Sequence, residues 1–354
     1  MWTENKIFLD DLKYVNEAKF IDWDRFKNKT ILITGATGLI GFNLLSSLVY
    51  ANSTRQLNMQ ILALVRNIEK AEKRFHDLLQ AGKKIKFIEG DLLDIPKISG
   101  PVDFIIHGGS PTASRFFSEH PVETIDTNLI GSKSLLELAK KKKAESFLFL
   151  SSMEVYGGLH KREKVDENHE SFVNTMSPRN CYPEAKRMVE AMCASYATEY
   201  DVPAKVIRLT QTFGAGIRKD ENRVFAQFAR AAMEQKDIIL LTLGGTEHCY
   251  LYTADAVAAI LTVLLEGKDG EAYNAANEKS YCSIKEMAQT VANLPIIKEK
   301  FGGSVDVKVQ VSEDSLKMYP PELYMNLDTR KLQKLGWQAR TGLIEMFTRM
   351  IKTM

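Results

Sequence analysis

The sequence predicts an α/β protein in which a doubly wound parallel sheet carries a smaller C-terminal α/β lobe. Six short apolar runs alternate with longer segments of helical periodicity, which is typical of parallel strands joined by right-handed helical crossovers. The runs occupy residues 30–34, 60–65, 85–88, 103–107, 146–151 and 204–209. Beyond about residue 210 the elements are more isolated: an apolar run at 238–242, a helical segment at 254–266, a helix started by Ser283 and a strand at 305–311.

These patterns divide the chain into three parts: an arm at 1–28, the sheet domain at 29–210, and a lobe formed mainly by 211–354, whose chain can cross back to the sheet. The arm contains aromatic residues such as Trp2, Phe8 and Trp23, too many for a disordered tail, so we expect it to pack on the body. We expect the lobe to lie over the carboxyl edge of the sheet, where ligands bind in such folds.

The composition, with 45% hydrophobic and 26% charged residues in 354, indicates an ordinary soluble globular protein. A formal net charge of +2 provides no basic footprint, so we expect neither nucleic acid nor an anionic membrane as a partner. We find no uninterrupted apolar run of about 18 residues and no signal-peptide pattern, so no membrane span is expected. The four cysteines lack metal-ligand spacing, which predicts no metal site and a reduced, cytoplasmic setting.

A glycine-rich segment, Thr-Gly-Ala-Thr-Gly-Leu-Ile-Gly at 34–41, follows the first predicted strand and opens a helix. Glycines at this spacing permit a tight turn, close approach of a pyrophosphate to backbone N–H groups, and close packing of helix on strand. The alternative is a purely structural turn. We interpret the segment as a dinucleotide-binding loop whose contacts come from Gly35, Thr37, Gly38, Leu39, Ile40 and Gly41.

Three more segments at the ends of predicted strands are candidates to contact the dinucleotide. Arg66 follows the second strand, where NAD sites usually place an acidic residue on the ribose 2′-hydroxyl. An arginine there favours the 2′-phosphate of NADP, although a solvated arginine above a NAD site remains the alternative. Asp91 and Leu92 follow the third strand, and Gly108, Gly109 and Ser110 follow the fourth.

Tyr182 and Lys186 lie four residues apart at the start of a helical pattern, so their side chains share one helix face. A lysine held there favours the tyrosinate, which predicts a tyrosine that exchanges a proton with a substrate hydroxyl near neutral pH. Ser152 ends the fifth strand at the same sheet edge and can donate a hydrogen bond to the substrate oxygen. This is chemistry for oxidising an alcohol.

With these motifs in this order, residues 30–337 resemble the extended short-chain dehydrogenase/reductase family, the NAD-dependent nucleotide-sugar epimerases and dehydratases with a Rossmann-type sheet. Further matching motifs start at Asn128, Arg208, Tyr250 and Leu327. The resemblance implies that Tyr182 takes the proton of the sugar 4-hydroxyl as hydride passes to nicotinamide. It implies that Ser152 holds that oxygen, and that Lys186 lowers the pKa of the tyrosine and binds the nicotinamide ribose.

Glu154 stands where sugar-nucleotide 4,6-dehydratases and UDP-glucuronate decarboxylases of the family carry glutamate. As a carboxylate beside a 4-keto sugar, it could remove a proton from a neighbouring carbon; a glutamate bonded to the backbone is the alternative. The segment around Tyr182, with Arg179 and Cys181, looks most like the decarboxylases, as does Asn-Arg-Val at 222–224. The resemblance makes Ser110, Ser152, Met153, Gln211, Arg223 and His248 candidate substrate contacts and Asn128 a candidate cofactor contact.

Several positions depart from the family pattern. Met153 replaces an aspartic acid that protonates the leaving hydroxyl in dehydratases acting on dTDP-glucose, and a thioether cannot donate a proton. His248 replaces an arginine that binds the nucleotide diphosphate, and Gln211 and Ala215 replace an Asn and a Pro. Residues 324–328 offer no arginine where decarboxylases keep one near the sugar carboxylate.

We therefore expect an NAD(P)-dependent enzyme that transiently oxidises C4 of a nucleotide-diphosphate sugar, with epimerisation as the first interpretation. The alternatives are decarboxylation of UDP-glucuronate, dehydration, an NADPH-dependent carbonyl reductase, and a non-enzymatic NAD(P)-binding regulator. The resemblance also implies a homodimer, formed by the helix after Gly131 and the helix that carries Tyr182.

Overall fold

The computed structural model describes residues 5–80, 85–218, 220–313 and 322–354, so Trp2 lies outside the described residues. Its strands are β1 (Thr30–Thr34), β2 (Gln60–Val65), β3 (Lys86–Glu89), β4 (Phe104–His107), β5 (Ser146–Ser152), β6 (Lys164–Val165), β7 (Ala204–Leu209), β8 (Gln211–Phe213), β9 (Ile238–Leu240), β10 (Glu247–Tyr252), β11 (Ala272–Ala275), β12 (Asn277–Ser283), β13 (Val307–Val309) and β14 (Tyr324–Leu327).

The helices alternate with the strands over the first two thirds of the chain. They are α1 (Lys6–Glu17), α2 (Leu39–Thr54), α3 (Ile68–Arg74), α4 (His76–Gln80), α5 (Ser114–Glu119), α6 (Pro121–Lys142), α7 (Cys181–Tyr200), α8 (Val224–Met233), α9 (Thr253–Glu266), α10 (Ile284–Ala292), α11 (Pro295–Lys300), α12 (Arg330–Gln333) and α13 (Leu343–Thr353). Single 3-10 turns occupy Trp23–Phe26, Met153–Tyr156 and Pro178–Asn180.

Seven of the described strands form an all-parallel sheet in the order β3-β2-β1-β4-β5-β7-β11. Side chains alternate between its faces: Ile31 and Ile33 of β1 pack in the apolar cluster that includes α2 and α9, whereas Leu32 packs with α6 and α7. This two-faced burial explains why the strands are continuous apolar runs. The predicted α/β fold with a doubly wound Rossmann-type sheet is confirmed.

The remaining strands build the lobe. β8, β10, β12, β14 and β6 form a mixed sheet in which β10 pairs antiparallel with β12 and parallel with β14 and β8. β9 and β13 form a separate parallel pair. Helix α10 begins with a capping box in which Ser283 and Glu286 bond each other's backbone N–H groups.

The predicted boundary at residue 210 is crossed in both directions. β6 precedes it in sequence but belongs to the mixed sheet, and β11 follows it but joins the edge of the large sheet beside β7. The division into three parts therefore stays a prediction. Helix α1 of the arm packs on the body, where its Asp11 accepts hydrogen bonds from Tyr252 (2.7 Å) and Arg349 (2.8 Å).

None of the helices in the described ranges is long and apolar enough to cross a membrane.

Candidate active site

The glycine-rich loop joins the carboxyl end of β1 to the N-terminus of α2, and its three glycines have different surroundings. Gly35 has a φ of +72°, and a Cβ there would lie 2.5 Å from the Gly108 carbonyl oxygen. A Cβ on Gly41 would overlap the Gly35 carbonyl oxygen and lie 2.8 Å from the Ala36 Cα. A Cβ on Gly38 would meet only that same oxygen, at an ordinary 3.4 Å. Gly35 and Gly41 are therefore required by packing, whereas Gly38 is not.

The N-terminus of α2 is open to an anion. Gly38 occupies the cap position, and no described side chain caps the helix there. Thr37 and Gly38 are exposed, and Leu39 and Ile40 are half-buried. The backbone N–H groups of a first helical turn attract phosphate. The loop therefore fits the pyrophosphate of a dinucleotide, with Gly38 leaving room for its approach.

A buried network ties the ends of β1 and β4 together below this loop. The His107 Nδ1 lies 2.7 Å from the Thr34 Oγ1, and its Nε2 lies 3.0 Å from the Ser132 hydroxyl. The Gly109 N–H donates to the same Thr34 Oγ1 at 3.0 Å. Burial lowers the pKa of His107 to about 3, so the ring is neutral. We assign His107 a structural part.

The other predicted cofactor contacts flank this loop. The Leu92 side chain packs where a Cβ on Gly109 would stand, at 2.8 Å, and a Cβ on Gly108 would lie 2.9 Å from Leu150. Asp91 is exposed, and its Oδ1 accepts from the Leu93 N–H at 2.9 Å. Gly108 is half-buried and Gly109 is buried, so the absence of side chains at the end of β4 permits this close packing.

Ser110, Asn128 and Arg66 complete the predicted set. The Ser110 hydroxyl donates to the Asn128 Oδ1 at 3.0 Å, and the Asn128 amide donates to the Thr124 carbonyl at 2.7 Å. Arg66 follows β2 with an exposed side chain. Arg66 lies on the edge of the sheet that carries the loop. Its part in the choice between NAD and NADP stays a prediction.

Tyr182 is the second residue of α7, and its ring is buried against Phe117 of α5. The two rings stack with centroids 4.3 Å apart and an angle of 8° between their planes. Burial raises the pKa of Tyr182 above its ordinary value, and the negative charge of Glu154 raises it further. The Ser152 hydroxyl, within hydrogen-bonding reach of the phenol, opposes this rise, as do the charges of Arg179 and Arg223.

The pKa of Tyr182 is therefore raised rather than lowered, and the expected effect of Lys186 on the tyrosinate stays a prediction. Lys186 is almost fully buried, and its Nζ donates to the Leu150 carbonyl at 2.9 Å and lies 5.6 Å from the centre of the Tyr182 ring. Burial lowers the pKa of Lys186 to about 7, and the charge of Glu190 opposes that fall. Desolvation outweighs the attraction that helix spacing alone suggests.

Glu154 lies in the 3-10 turn that follows Ser152 and forms an ion pair with Arg179. The Arg179 Nη2 donates to the Glu154 Oε2 at 3.0 Å, and the guanidinium carbon lies 5.1 Å from the centre of the Phe117 ring. Both side chains keep about a third of their surface exposed. The Glu154 backbone N–H also donates to the Ser152 hydroxyl at 3.2 Å, so Ser152 caps the turn while it faces the phenol. A carboxylate and a guanidinium therefore stand together beside Tyr182.

The predicted substrate contacts occupy separate places. Met153 is buried, and its sulfur accepts a hydrogen bond from the Thr210 hydroxyl at 3.2 Å. Arg223 precedes α8 and pairs with Glu221 through two bonds of 2.9 and 2.7 Å. Among the described residues, neither the Gln211 Oε1 nor the His248 Nδ1 has a partner, although both are buried. Burial lowers the pKa of His248 to about 4, so the histidine is neutral and cannot replace the charge of an arginine.

Buried polar atoms normally have hydrogen-bond partners. The Gln211 Oε1 and the His248 Nδ1 are therefore candidate contacts for a polar ligand such as a nucleotide, and the Tyr250 hydroxyl on β10 is a third buried atom without a partner within the described ranges. No group of three or more His, Cys, Asp or Glu side chains that could hold a metal occurs in the described part of the chain.

Sequence reasoning missed two features of the site. One is the Phe117 ring that stacks on Tyr182, and the other is the ion pair of Arg208 with Glu190 near Lys186. Phe117 follows Phe116 in the segment between β4 and α6, and this aromatic pair is the signal that could have identified it. In the sequence Arg208 starts one of the matching motifs, and Glu190 lies in the helical pattern that carries Tyr182. The structure brings them together behind Lys186, where Arg208 donates to Glu190 at 2.7 Å.

Known proteins are similar to this chain in sequence and in fold. The family model described as the NAD dependent epimerase/dehydratase family matches residues 31–276. UDP-glucuronic acid decarboxylase 5 of Arabidopsis thaliana is 28% identical over 321 residues, which cover 90% of this chain and 87% of the relative. UDP-glucuronic acid decarboxylase 1 of Xenopus tropicalis is 28% identical over 318 residues, covering 90% and 70%.

Among solved structures, UDP-glucuronic acid 4-epimerase from Bacillus cereus in complex with NAD superposes with a TM-score of 0.71 at 20% identity, covering 92% of this chain and 98% of that one. At this identity the likeness concerns the fold. The family match covers most of the sheet domain, including the glycine-rich loop, Ser152, Tyr182 and Lys186. The chain is an enzyme that belongs to the NAD-dependent epimerase/dehydratase family.

Proposed function

We propose that this enzyme decarboxylates a nucleotide-diphosphate sugar that carries a C5 carboxylate, such as UDP-glucuronate, through transient oxidation of C4. The observation that carries the proposal is the ion pair of Arg179 with Glu154 beside Tyr182. The similarity to decarboxylases along nearly the whole chain supports it. This choice replaces epimerisation as the first interpretation.

The residues around the loop would hold the cofactor. The N-terminus of α2 would bind its pyrophosphate, and the network below the loop keeps the ends of β1 and β4 in register. When bound, NAD supplies the acceptor for the hydride that leaves C4 and returns it to the ketone. We also propose that the enzyme accepts NADP, because Arg66 can form a charge-assisted bond with the 2′-phosphate.

Tyr182 would exchange the proton of the sugar 4-hydroxyl. Its raised pKa makes the neutral phenol the resting form, which suits the step that returns a proton to O4. For the first step the phenolate must be stabilised, and Ser152, Arg179 and Arg223 each act in that direction. A protonated Lys186, with its Nζ 5.6 Å from the centre of the Tyr182 ring, would add a positive charge that stabilises the phenolate. Ser152 would also donate to the reacting oxygen.

Arg179 would bind the sugar carboxylate. A guanidinium offers five donors, and the bond to Glu154 uses one of them. Once C4 is a ketone, the C5 carboxylate is β to it, so the bond from C5 to the carboxyl carbon breaks and its electron pair moves into the enolate. The enolate then takes one proton at C5. The net reaction releases one CO2 and consumes one proton.

One observation favours epimerisation as a second candidate. Tyr324–Leu327 forms strand β14, whose sequence provides no arginine for a carboxylate, and inversion at C4 needs none. The two candidates differ in the fate of the carboxyl carbon, so a single labelled substrate separates them.

The test uses UDP-glucuronate labelled with carbon-13 in the carboxyl group, with UDP-glucose as a substrate that lacks it. We expect labelled CO2 and an unlabelled nucleotide pentose. Label retained in an isomerised nucleotide sugar would assign epimerisation, and no turnover across UDP-, GDP-, CDP- and dTDP-sugars would overturn the nucleotide-sugar assignment.

Two arginine variants test the carboxylate clamp. Arg179→Met should raise the KM for UDP-glucuronate by about 10- to 100-fold, because a charge-assisted hydrogen bond contributes about 1.5–3 kcal/mol. Arg187→Met is the matched control, because Arg187 lies on α7, directly after the turn that carries Arg179, and its partner is Glu184 at 3.4 Å. Equal effects of the two substitutions would contradict the part given to Arg179.

A further inference from the structure

Glu190 lies one helical turn after Lys186 on α7, and Lys186 lies one turn after Tyr182. Residues four apart on a helix are surface neighbours, with Cβ atoms about 5–6 Å apart. The phenol, the ammonium and this carboxylate therefore form one row along the helix. The proposed chemistry uses the first two members of this row and assigns nothing to the third.

The carboxylate of Glu190 is fixed from two strands of the large sheet. On β7, the Arg208 Nε lies 3.1 Å from each carboxylate oxygen, and its Nη2 donates to the Oε2 at 2.7 Å. On β5, the Ser151 hydroxyl donates to the Oε1 at 2.5 Å. Only 12% of the Glu190 side chain and 14% of the Arg208 side chain are exposed.

Arg208 is itself held in place. Its Nη1 donates to the Tyr156 hydroxyl at 2.8 Å and to the Glu167 carbonyl at 2.9 Å. The Tyr156 hydroxyl in turn donates to the Asn274 Oδ1 at 2.8 Å. With both ends of the guanidinium engaged, neither Arg208 nor Glu190 can rotate away without breaking several buried hydrogen bonds.

Among the residues that the structure describes around Lys186, Glu190 is the source of negative charge. On β5, the Leu150 carbonyl accepts from Nζ at 2.9 Å, and the Phe149 ring centre lies 4.4 Å away. On β4, His107 is neutral because burial lowers its pKa to about 3. On α7, burial raises the pKa of the Cys193 thiol, so it is neutral too. The attraction of Glu190 acts on Lys186 against its desolvation.

We propose that Glu190, held by Arg208 and Ser151, is a positioning residue that keeps the buried Lys186 protonated beside Tyr182. The inference rests on the part given to Lys186 in the proposed function, but not on which sugar reaction follows. A fixed carboxylate is needed because an ammonium taken out of water loses its proton unless an opposite charge is near. Ser151, Glu190 and Arg208 thus act on the reaction through Lys186.

The direct test measures the titration of Lys186 by NMR in the whole enzyme, with carbon-13 at the ε position of its lysines and Lys186→Arg to assign the signal. The midpoint should lie near 7 in the natural protein. In Glu190→Gln it should fall by about one pH unit or more, because an opposite charge within about 4–6 Å shifts a pKa by 1–3 units. An unchanged midpoint in Glu190→Gln overturns the proposal.

Three further variants keep the test decisive. Glu199→Gln makes the same change at an exposed position of α7 and should leave the Lys186 midpoint unchanged. Ser151→Ala removes one donor but keeps the charge of Glu190, so it should shift the midpoint by less than Glu190→Gln. If Glu190→Gln fails to fold, Arg208→Lys replaces it, since a lysine cannot hold the carboxylate with a fork, and the midpoint must then move.

The pH profile supplies a second readout that a merely structural part would not move. The alkaline limb of kcat should shift to lower pH in Glu190→Gln, in step with the NMR midpoint, with the KM for the sugar nucleotide unchanged. A lower kcat with no shift of that limb contradicts the proposal. The NMR titration needs no substrate, so failure of the proposed decarboxylation is distinguishable from failure of this inference.

Discussion

Gly41→Ala should destabilise the fold, whereas Gly38→Ala should weaken the binding of NAD with a smaller loss of stability. Both glycines belong to one loop, whose spacing permits close approach of a pyrophosphate and close packing of helix on strand. The structure separates them, because a Cβ on Gly41 overlaps the Gly35 carbonyl oxygen and a Cβ on Gly38 lies an ordinary 3.4 Å from it.

The magnitudes follow from these contacts. The overlap at Gly41 is with backbone that cannot rotate away, so the upper end of the cost of overpacking applies, about 3 kcal/mol. Replacing glycine by alanine inside a helix returns about 1 kcal/mol, which leaves a net loss of about 2 kcal/mol in the free energy of unfolding. Gly38 has φ of −71°, which alanine adopts freely, and alanine is a poorer N-cap by about 1 kcal/mol.

The assay pairs urea unfolding, followed by the fluorescence of the buried Trp23 and Trp337, with calorimetric titration of NAD. We expect Gly38→Ala to raise the Kd for NAD at least about tenfold, because its methyl group occupies the approach of the pyrophosphate. Gly38→Ala that binds NAD like the natural protein, or Gly41→Ala with unchanged stability, would refute this reasoning.

Three further predictions concern Lys186, Arg66 and Tyr182. The folded pKa of Lys186 is lowered from 10.5 to about 7, so the unfolded chain binds the extra proton between those values and folding stability rises with pH through that window. Lys186→Met should therefore have a free energy of unfolding higher than that of the natural protein by something on the order of 3 kcal/mol below pH 7, and this difference should vanish towards pH 10. A difference in urea unfolding that does not change with pH contradicts the prediction. Arg66→Asp should weaken NADP about tenfold or more without weakening NAD, because it removes a charge-assisted bond to the 2′-phosphate; equal losses in fluorescence titrations of the two would exclude the proposed contact. Tyr182→Phe keeps the ring stacked on Phe117 and should retain the fold and NAD binding while turnover falls about 100-fold or more; unchanged turnover would favour a non-enzymatic part for the site.

The doubly wound parallel sheet and its ligand edge could be predicted from the sequence because their signals are local. The loop from Gly35 to Gly41 shows a strand, a turn and a helix within a dozen residues. Ser152 and Tyr182 follow elements whose positions in a doubly wound sheet are set by right-handed crossovers. These local patterns predict the backbone positions of the functional residues.

The electrostatics could not be predicted in this way, because burial depends on distant segments. Tyr182 is stacked on Phe117, which lies 64 residues before Cys181, the residue next to Tyr182. The burial of the Tyr182 ring reverses the expected direction of the pKa of Tyr182. Arg208 reaches Glu190 from another strand. The edge strand β11 likewise returns to the large sheet from the later part of the chain, which no local pattern marks.

The central claim is that C4 of a nucleotide sugar is oxidised and reduced again within one turnover. The measurement that tests it most directly uses UDP-glucuronate carrying deuterium at C4, with the product analysed by NMR and the absorbance of reduced cofactor followed in parallel. The account predicts that the product retains deuterium at C4 and that no reduced cofactor accumulates in proportion to product. Product in which C4 carries hydrogen from solvent, or reduced cofactor formed in step with product, would contradict it.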